Sequence, residues 1–283
     1  MWSLPGRHSR KDQRHDRSSV TPSVLGDITR GTTNPNRLRR IDRWMLHAVC
    51  PIIRNSQDPV VVDLGYGATP ITTQEMFYRF RKHVRPDVEV VGIEIDPIRV
   101  KQAAEIVEPG LDFAYGGFEI PLPNSRKPIA IRAFNVLRQY DETEVTKSWQ
   151  LMTSRLAPEG FLVEGTCDEI GRRSSWVSLR SQERVPETFT ISLHVGSLEL
   201  PSEIAPRLPK ALIHRNVPGE NIHDFLQEFD RAWLSNSAII PFGARQRWVA
   251  TVEALQSSYP ILDNKVRWRL GEVTVPWEVV APK

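Results

Sequence analysis

Residues 60–96 constrain this chain more than any other stretch. Val60, Val61 and Val62 form a short β-branched run, the composition of a central parallel strand covered on both faces. Asp63-Leu64-Gly65-Tyr66-Gly67 follows directly. Two glycines spaced by one residue let the backbone turn sharply and approach a ligand without Cβ interference. Thr69-Pro70 then reads as a helix start, with the hydroxyl as N-cap and the proline at the first helical position. A helix is expected over 70–84 and a second strand over 88–93. That strand runs into Glu94-Ile95-Asp96-Pro97, which puts carboxylates at the C-terminal edge of the sheet, where open α/β sheets hold their ligands.

The rhythm continues downstream. A helix over 97–107 is stopped by Pro109-Gly110, a strand covers 111–115, and Gly116-Gly117-Phe118 occupies the following loop. A fourth strand over 129–136 leads into Asn135-Val136-Leu137-Arg138-Gln139-Tyr140. Asp141 is placed to cap a helix reaching Leu156, and 161–165 is a fifth strand. Regular alternation of this kind predicts an α/β fold with a doubly wound, mostly parallel sheet. Upstream, the polar turn 29–37 precedes a helix that Asn36 is placed to cap, with Leu38, Ile41, Met45, Ala48, Val49 and Ile52 on one face. The turn either crosses the ligand edge or simply starts the helix. Past Thr166 the pattern changes: a strand over 188–195, then prolines at 201, 206, 209 and 218. Ile222, Phe225, Leu226, Phe229 and Trp233 mark an amphipathic helix. Another helix is expected over 245–256, and one or two strands over 266–280. The expected organisation is a disordered basic arm (1–28), an N-terminal turn and helix (29–56), a ligand-binding core (57–200), and a helical cap with the final strands (201–283).

The net charge of +3 conceals an asymmetry. Residues 1–43 hold 10 Lys and Arg against 4 Asp and Glu, which leaves the arm at +6 and the remainder at −3. Such an arm is either a solvated tail or a contact for RNA through counterion release. No run approaches the roughly 18 apolar residues of a membrane span, and the start lacks the apolar core of a signal peptide. A cytoplasmic protein without membrane contact is expected. Cys50 and Cys167 have no metal-ligand spacing and the histidines are scattered, so no metal is expected. The pattern sets no oligomeric state.

Two nucleotide fingerprints fail at the glycine turn. A dinucleotide site wants a third glycine where Pro70 stands and an acid about 20 residues on. Here Glu94 lies 27 residues past Gly67. A P-loop needs a Gly-Lys-Ser/Thr that is absent. An acid before the turn and another ending the second strand suit a ligand with a ribose and no phosphate, because a carboxylate accepts both ribose hydroxyls.

Over residues 59–166 the chain resembles the class I, seven-stranded, Rossmann-like S-adenosylmethionine-dependent methyltransferases. VVVDLGYGATP resembles their first motif, VVGIEIDP the second, LDFAYGGFEIPLP the third, and AFNVLRQY the segment after the fourth strand. The resemblance implies a seven-stranded sheet with an N-terminal helical lead-in and a C-terminal helical cap. It also implies S-adenosyl-L-methionine as cofactor, held by Asp63, Gly65, Gly67, Glu94, Ile95, Gly117, Phe118 and Asn135. Gly117 stands where the family commonly has an acid, and no Asn/Asp-Pro-Pro-aromatic signature follows the fourth strand. The expected reaction is in-line methyl transfer to a small-molecule acceptor that the sequence does not identify. The alternatives are RNA methylation through the basic arm, or a non-catalytic binding protein that keeps the fold. Methyl transfer needs alignment more than a fixed triad, so the catalytic candidates, Asn135, Arg138 and Glu164, follow from position alone. Asn135 also suits a strand-end cap. Asp168 and Glu169 either bind a cation or face water.

Overall fold

The computed structural model describes residues 24–28 and 31–283. Apart from 24–28, the expected basic arm lies outside the described residues. Helices α1 (Arg39–Ala48) and α2 (Cys50–Asn55) precede β1 (Val60–Leu64), α3 (Ile71–His83), β2 (Glu89–Glu94), α4 (Pro97–Ala103), β3 (Leu111–Tyr115), β4 (Ala130–Phe134), α5 (Glu142–Arg155) and β5 (Phe161–Cys167). Next come β6 (Arg173–Arg180) and β7 (Thr188–Leu193), then α6 (Lys210–Ile213), α7 (Asn221–Ser235), α8 (Ala244–Leu255), α9 (Lys265–Trp268) and β8 (Glu272–Pro276). All strands belong to one sheet in the order β3-β2-β1-β4-β5-β6-β7-β8.

The strand period of two divides the core into two layers. Val61 faces Ile41 and Met45 of α1, Leu38 just before it, and Phe77 and Phe80 of α3. Val60 and Val62 face the opposite layer, built from Val145, Trp149 and Met152 of α5 and from Phe225, Phe229, Trp248 and Val252 of the cap. Parallel pairing of β1 with β2 (Val62 beside Val91) and with β4 (Val62 beside Ile131) places a crevice beyond the carboxyl ends of β1 and β4. The chain order reverses at this switch point.

Several sequence expectations are corrected. The sheet has eight strands, not seven, and its last three pairings are antiparallel. The additional strand β6 carries Ser174, Ser175 and Ser178, which are buried and disguise it as a loop. Tertiary partners satisfy two of them: Ser175 donates to the Arg207 carbonyl at 2.6 Å, and Ser178 and Thr188 share a hydrogen bond at 2.5 Å. Residues 266–280 hold one strand, within the expected one or two, flanked by a helical turn on each side. The first helix breaks at Val49, just before Pro51 enters the first turn of α2. Its N-cap is Leu38 and not Asn36, whose backbone N–H instead donates to Glu75 at 2.8 Å. Pro70 is itself the N-cap of α3. Asp141 is the N-cap of α5, as expected, although through its backbone: its carbonyl accepts from the Glu144 N–H at 3.0 Å, and its N–H donates to the Glu144 carboxylate at 3.2 Å. No helix among the described residues is long and apolar enough to cross a membrane.

A buried charge network lies beneath the crevice. Arg132 of β4 is fully buried; it donates to Asp63 at 2.9 and 2.7 Å and pairs with Asp42 of α1. Arg79 of α3 also pairs with Asp42, and the Thr73 hydroxyl donates to Asp63 at 2.7 Å. Burial opposes the Arg132 charge, but the adjoining carboxylates of Asp63 and Asp42 outweigh it and raise the guanidinium above its ordinary value. The network ties α1, α3, β1 and β4 together under the glycine turn.

Candidate functional site

Gly65 turns the chain out of β1 at φ +70°, and a Cβ there would strike Val136. Only glycine adopts this conformation so close to a neighbour without strain. The turn separates two cavities, with Leu64, Gly65 and Val136 lining both.

The first cavity, about 650 Å³, opens between the glycine turn and the cap. Gly31, Thr33, Arg37, Tyr66, Gly67, Asn135, Arg138, Glu169 and Arg207 are among its lining residues. The polar turn ahead of α1 therefore does cross the ligand edge. The Thr33 hydroxyl donates to the Tyr66 carbonyl at 2.9 Å, and the Gly31 carbonyl accepts from Ala68 at 2.6 Å. Asp63 lines this cavity too, but its carboxylate is taken up by Arg132 and Thr73.

The second cavity is the slot between Glu94, Ile95, Gly116, Gly117, Phe118 and Tyr140. Residues 24–28, expected from the sequence to be disordered, pass through it as a strap. The Leu25 carbonyl accepts from the Phe118 N–H at 2.9 Å, and the Leu25 N–H donates to Glu119 at 2.9 Å. The Asp27 N–H donates to the Tyr140 hydroxyl at 2.5 Å, and Gln139 donates to the Asp27 carbonyl at 3.0 Å. About 20 Å³ is left, room for roughly one water. A Cβ at Gly117 would run into the Leu25 carbonyl. The strap thus supplies a physical reason for glycine at a position where the family that the sequence resembles commonly has an acid. Gly117→Ala is expected to free the strap and speed hydrogen exchange at the Phe118 amide by roughly tenfold or more, the loss of about one hydrogen bond. Unchanged exchange there would show that the strap is anchored elsewhere.

Glu94 lines the slot and is almost wholly buried. Its Oε2 accepts from the Gly67 N–H at 2.8 Å. Its Oε1 accepts from Ile95 and Asp96 at 3.1 and 3.2 Å and lies 3.5 Å from the Arg99 guanidinium. Among these contacts Oε2 takes one, which leaves it a second acceptor position.

The catalytic candidates separate. Asn135 lines the larger cavity with φ +61°, a left-handed conformation that asparagine tolerates. Its amide is engaged by Cys167: Oδ1 accepts from the Cys167 N–H at 3.0 Å, and Nδ2 lies 3.3 Å from Sγ. It caps the strand end and lines the site at once. Arg138 lines the same cavity and donates to the Pro206 carbonyl at 3.0 Å. Glu164 does not reach either cavity. It lies mid-strand because β5 runs on to Cys167, and it accepts from the Trp149 indole at 3.2 Å under α5. Asp168 accepts the backbone N–H groups of Arg172 and Arg173, and Glu169 pairs with Arg207. No group of acidic, histidine or cysteine side chains among the described residues is arranged for a metal. Sequence reasoning missed Arg37, Arg207 and the strap as parts of the site. Only the place of Arg37 at the end of the polar turn 29–37 hinted at the first.

No family model matches the chain, and no curated protein does. Solved structures do match. A protein described as a sarcosine dimethylglycine methyltransferase from Galdieria sulphuraria is 20% identical over 50% of this chain and 55% of its own, with a TM-score of 0.35. The N-methyltransferase NodS of Bradyrhizobium japonicum, in complex with S-adenosyl-L-homocysteine, is 17% identical over 46% and 60%, with a TM-score of 0.33. Human N-acetylserotonin methyltransferase, in complex with SAM, is 18% identical over 45% and 36%, with a TM-score of 0.30. The chain spans about half the length of the first of the solved structures it matches.

Proposed function

We propose that the protein is an S-adenosylmethionine-dependent methyltransferase acting on a small molecule. The observation that carries this reading is the buried Glu94 carboxylate against the Gly67 N–H. In a phosphate site that N–H faces the anion. Here a carboxylate already takes it, so the glycine turn has no such N–H to offer a pyrophosphate, and the slot that Glu94 lines favours a neutral diol.

The residues fit such a donor. The second acceptor position of Glu94 Oε2 suits a ribose hydroxyl, and the slot of Ile95, Gly117 and Phe118 suits a flat adenine ring once the strap gives way. Gly65, Gly67 and Asn135 border the larger cavity, where the methionine part would lie. When bound, the donor supplies an electrophilic methyl on a sulfonium. What the chain contributes is alignment: the glycine turn fixes one side, while Asn135, pinned by Cys167, fixes the other. Both cavity-lining carboxylates, Asp63 and Glu169, are held by arginines, which suits an acceptor that needs no strong base.

Calorimetric titration of the full chain with S-adenosyl-L-homocysteine tests the reading. Saturable binding is expected, weakened roughly tenfold to a hundredfold in Glu94→Ala, the worth of a hydrogen bond to a charged group. Absence of binding, or a Glu94→Ala variant indistinguishable from the wild type, would sink it.

A further inference from the structure

Three guanidinium groups from distant parts of the chain line the larger cavity: Arg37 ahead of α1, Arg138 after β4, and Arg207 between β7 and α6. Only Arg207 is matched by a carboxylate among the described residues, Glu169 at 3.1 and 3.3 Å. Arg37, which is buried, donates to the carbonyls of Asp168 at 3.0 Å and of Thr32. Arg138 donates to the Pro206 carbonyl. A guanidinium carries five N–H donors in a rigid fork, so both forks keep donors beyond those carbonyl contacts. The three groups feel one another. Burial lowers the Arg138 guanidinium from its ordinary value; Arg207 and, more weakly, Arg37 push it further down, against Glu169. The cavity wall therefore carries three guanidinium groups against two carboxylates, Asp63 and Glu169, and Asp63 is itself held by Arg132; this is an excess of positive charge on groups that can grip an oxyanion through two N–H donors.

We infer that the methyl acceptor carries a carboxylate or phosphate group, and that Arg138 and Arg207 hold it, with Arg37 completing the positive wall. This rests on the methyl-transfer reading of the same site. A second source of the same chemistry is the carboxylate of the donor's own methionine part. Arg37 stands nearest to that role, because its turn packs on the glycine turn through Thr33 and Tyr66. Arg138 and Arg207 lie on the cap side, linked by the hydrogen bond from Arg138 to the carbonyl of Pro206, the residue before Arg207. A cavity of about 650 Å³ falls in the range for small ligands, which favours a small acceptor over a nucleic-acid chain.

The test uses the full chain saturated with S-adenosyl-L-homocysteine and titrated with inorganic phosphate at constant ionic strength. Saturable phosphate binding is expected. It should weaken by roughly tenfold or more in Arg138→Gln and in Arg207→Gln, the loss of one charge-assisted contact. Affinity for S-adenosyl-L-homocysteine should change by less than about twofold in both, since neither is assigned to the donor. Arg231→Gln, on the exposed surface of α7, is the control and should leave phosphate binding unchanged. Thermal melts of all three variants establish that they fold.

Three results overturn the inference while leaving the methyl-transfer reading intact. One is normal S-adenosyl-L-homocysteine binding with no saturable phosphate binding. Another is loss of S-adenosyl-L-homocysteine affinity in the two variants with 5′-methylthioadenosine affinity retained, which would assign the cluster to the donor's carboxylate. The third is phosphate failing to bind while an RNA oligomer of about twenty nucleotides binds in a salt-sensitive, Arg138-dependent manner. Failure of wild-type protein to bind S-adenosyl-L-homocysteine at all overturns the reading itself, and the inference with it.

Discussion

Arg132→Met is expected to destabilise the fold by on the order of 3–5 kcal/mol, the cost of breaking a buried ion pair from one side. The substitution removes both hydrogen bonds to Asp63 and the pairing with Asp42. Two buried carboxylates would remain, with Arg79 beside one and the Thr73 hydroxyl beside the other. Methionine fills much of the arginine volume, so the loss is electrostatic more than a cavity effect. Urea unfolding of the variant provides the measurement. Adding Asp63→Asn to Arg132→Met should recover part of the loss, because one stranded charge disappears. Added salt should change it little, since buried charges are poorly screened. A loss below about 1 kcal/mol, the level of a surface pair, would show that water reaches the network.

The second large effect concerns Glu164. Burial pushes this carboxyl up to about 8, against the opposing hydrogen bond from the Trp149 indole, and its Oε1 has no partner among the described residues. The folded state therefore holds the group neutral where the unfolded chain, at an ordinary value near 4.5, ionises it. The stability contributed by Glu164 is complete below pH 4.5, declines as pH rises, and is gone above about 8. Glu164→Gln removes this dependence. Relative to the variant, the wild type is expected to lose on the order of 5 kcal/mol across that window, at about 1.4 kcal/mol per pH unit. Denaturant midpoints from pH 4 to 9 would reveal the divergence, and parallel profiles would mean that Glu164 is solvated. The effect belongs to stability, because Glu164 lines neither cavity.

What could be read from the sequence was local. The β-branched run, the glycine turn and the acid ending β2 are neighbours in the chain, so β1, α3 and β2 appear within a residue or two of where they were expected. The buried charge network was illegible for the opposite reason. Asp42 reads as the polar side of an amphipathic helix and Arg132 as an interruption in an apolar strand, and no periodicity announces that they meet. The strap depends on a hydrogen bond between Leu25 and Phe118, far apart in sequence and carried by residues with no distinctive pattern. In β6 buried serines took the place of the apolar alternation that marks a strand. Arg207 is invisible as a site residue because the loop that carries it is brought to the crevice by the cap's packing on the sheet.

The placement of that cap has a consequence for how the molecule can vary. The chain leaves the sheet after Leu193 and returns at Glu272, yet these ends are adjacent: Ser192 lies opposite Glu272, and the Leu193 N–H donates to the Gly271 carbonyl at 2.8 Å. Residues 194–271 are thus a module spliced into what would otherwise be a plain β7–β8 hairpin. A different module with the same closely spaced ends would join the sheet without altering its register, provided that it offered an apolar face to replace Ile222, Phe225 and Phe229. Glu94 and the glycine turn lie outside the spliced segment, whereas Arg207 lies within it. Exchange of the module would therefore alter the Arg207 side of the crevice and leave Glu94 and the glycine turn in place.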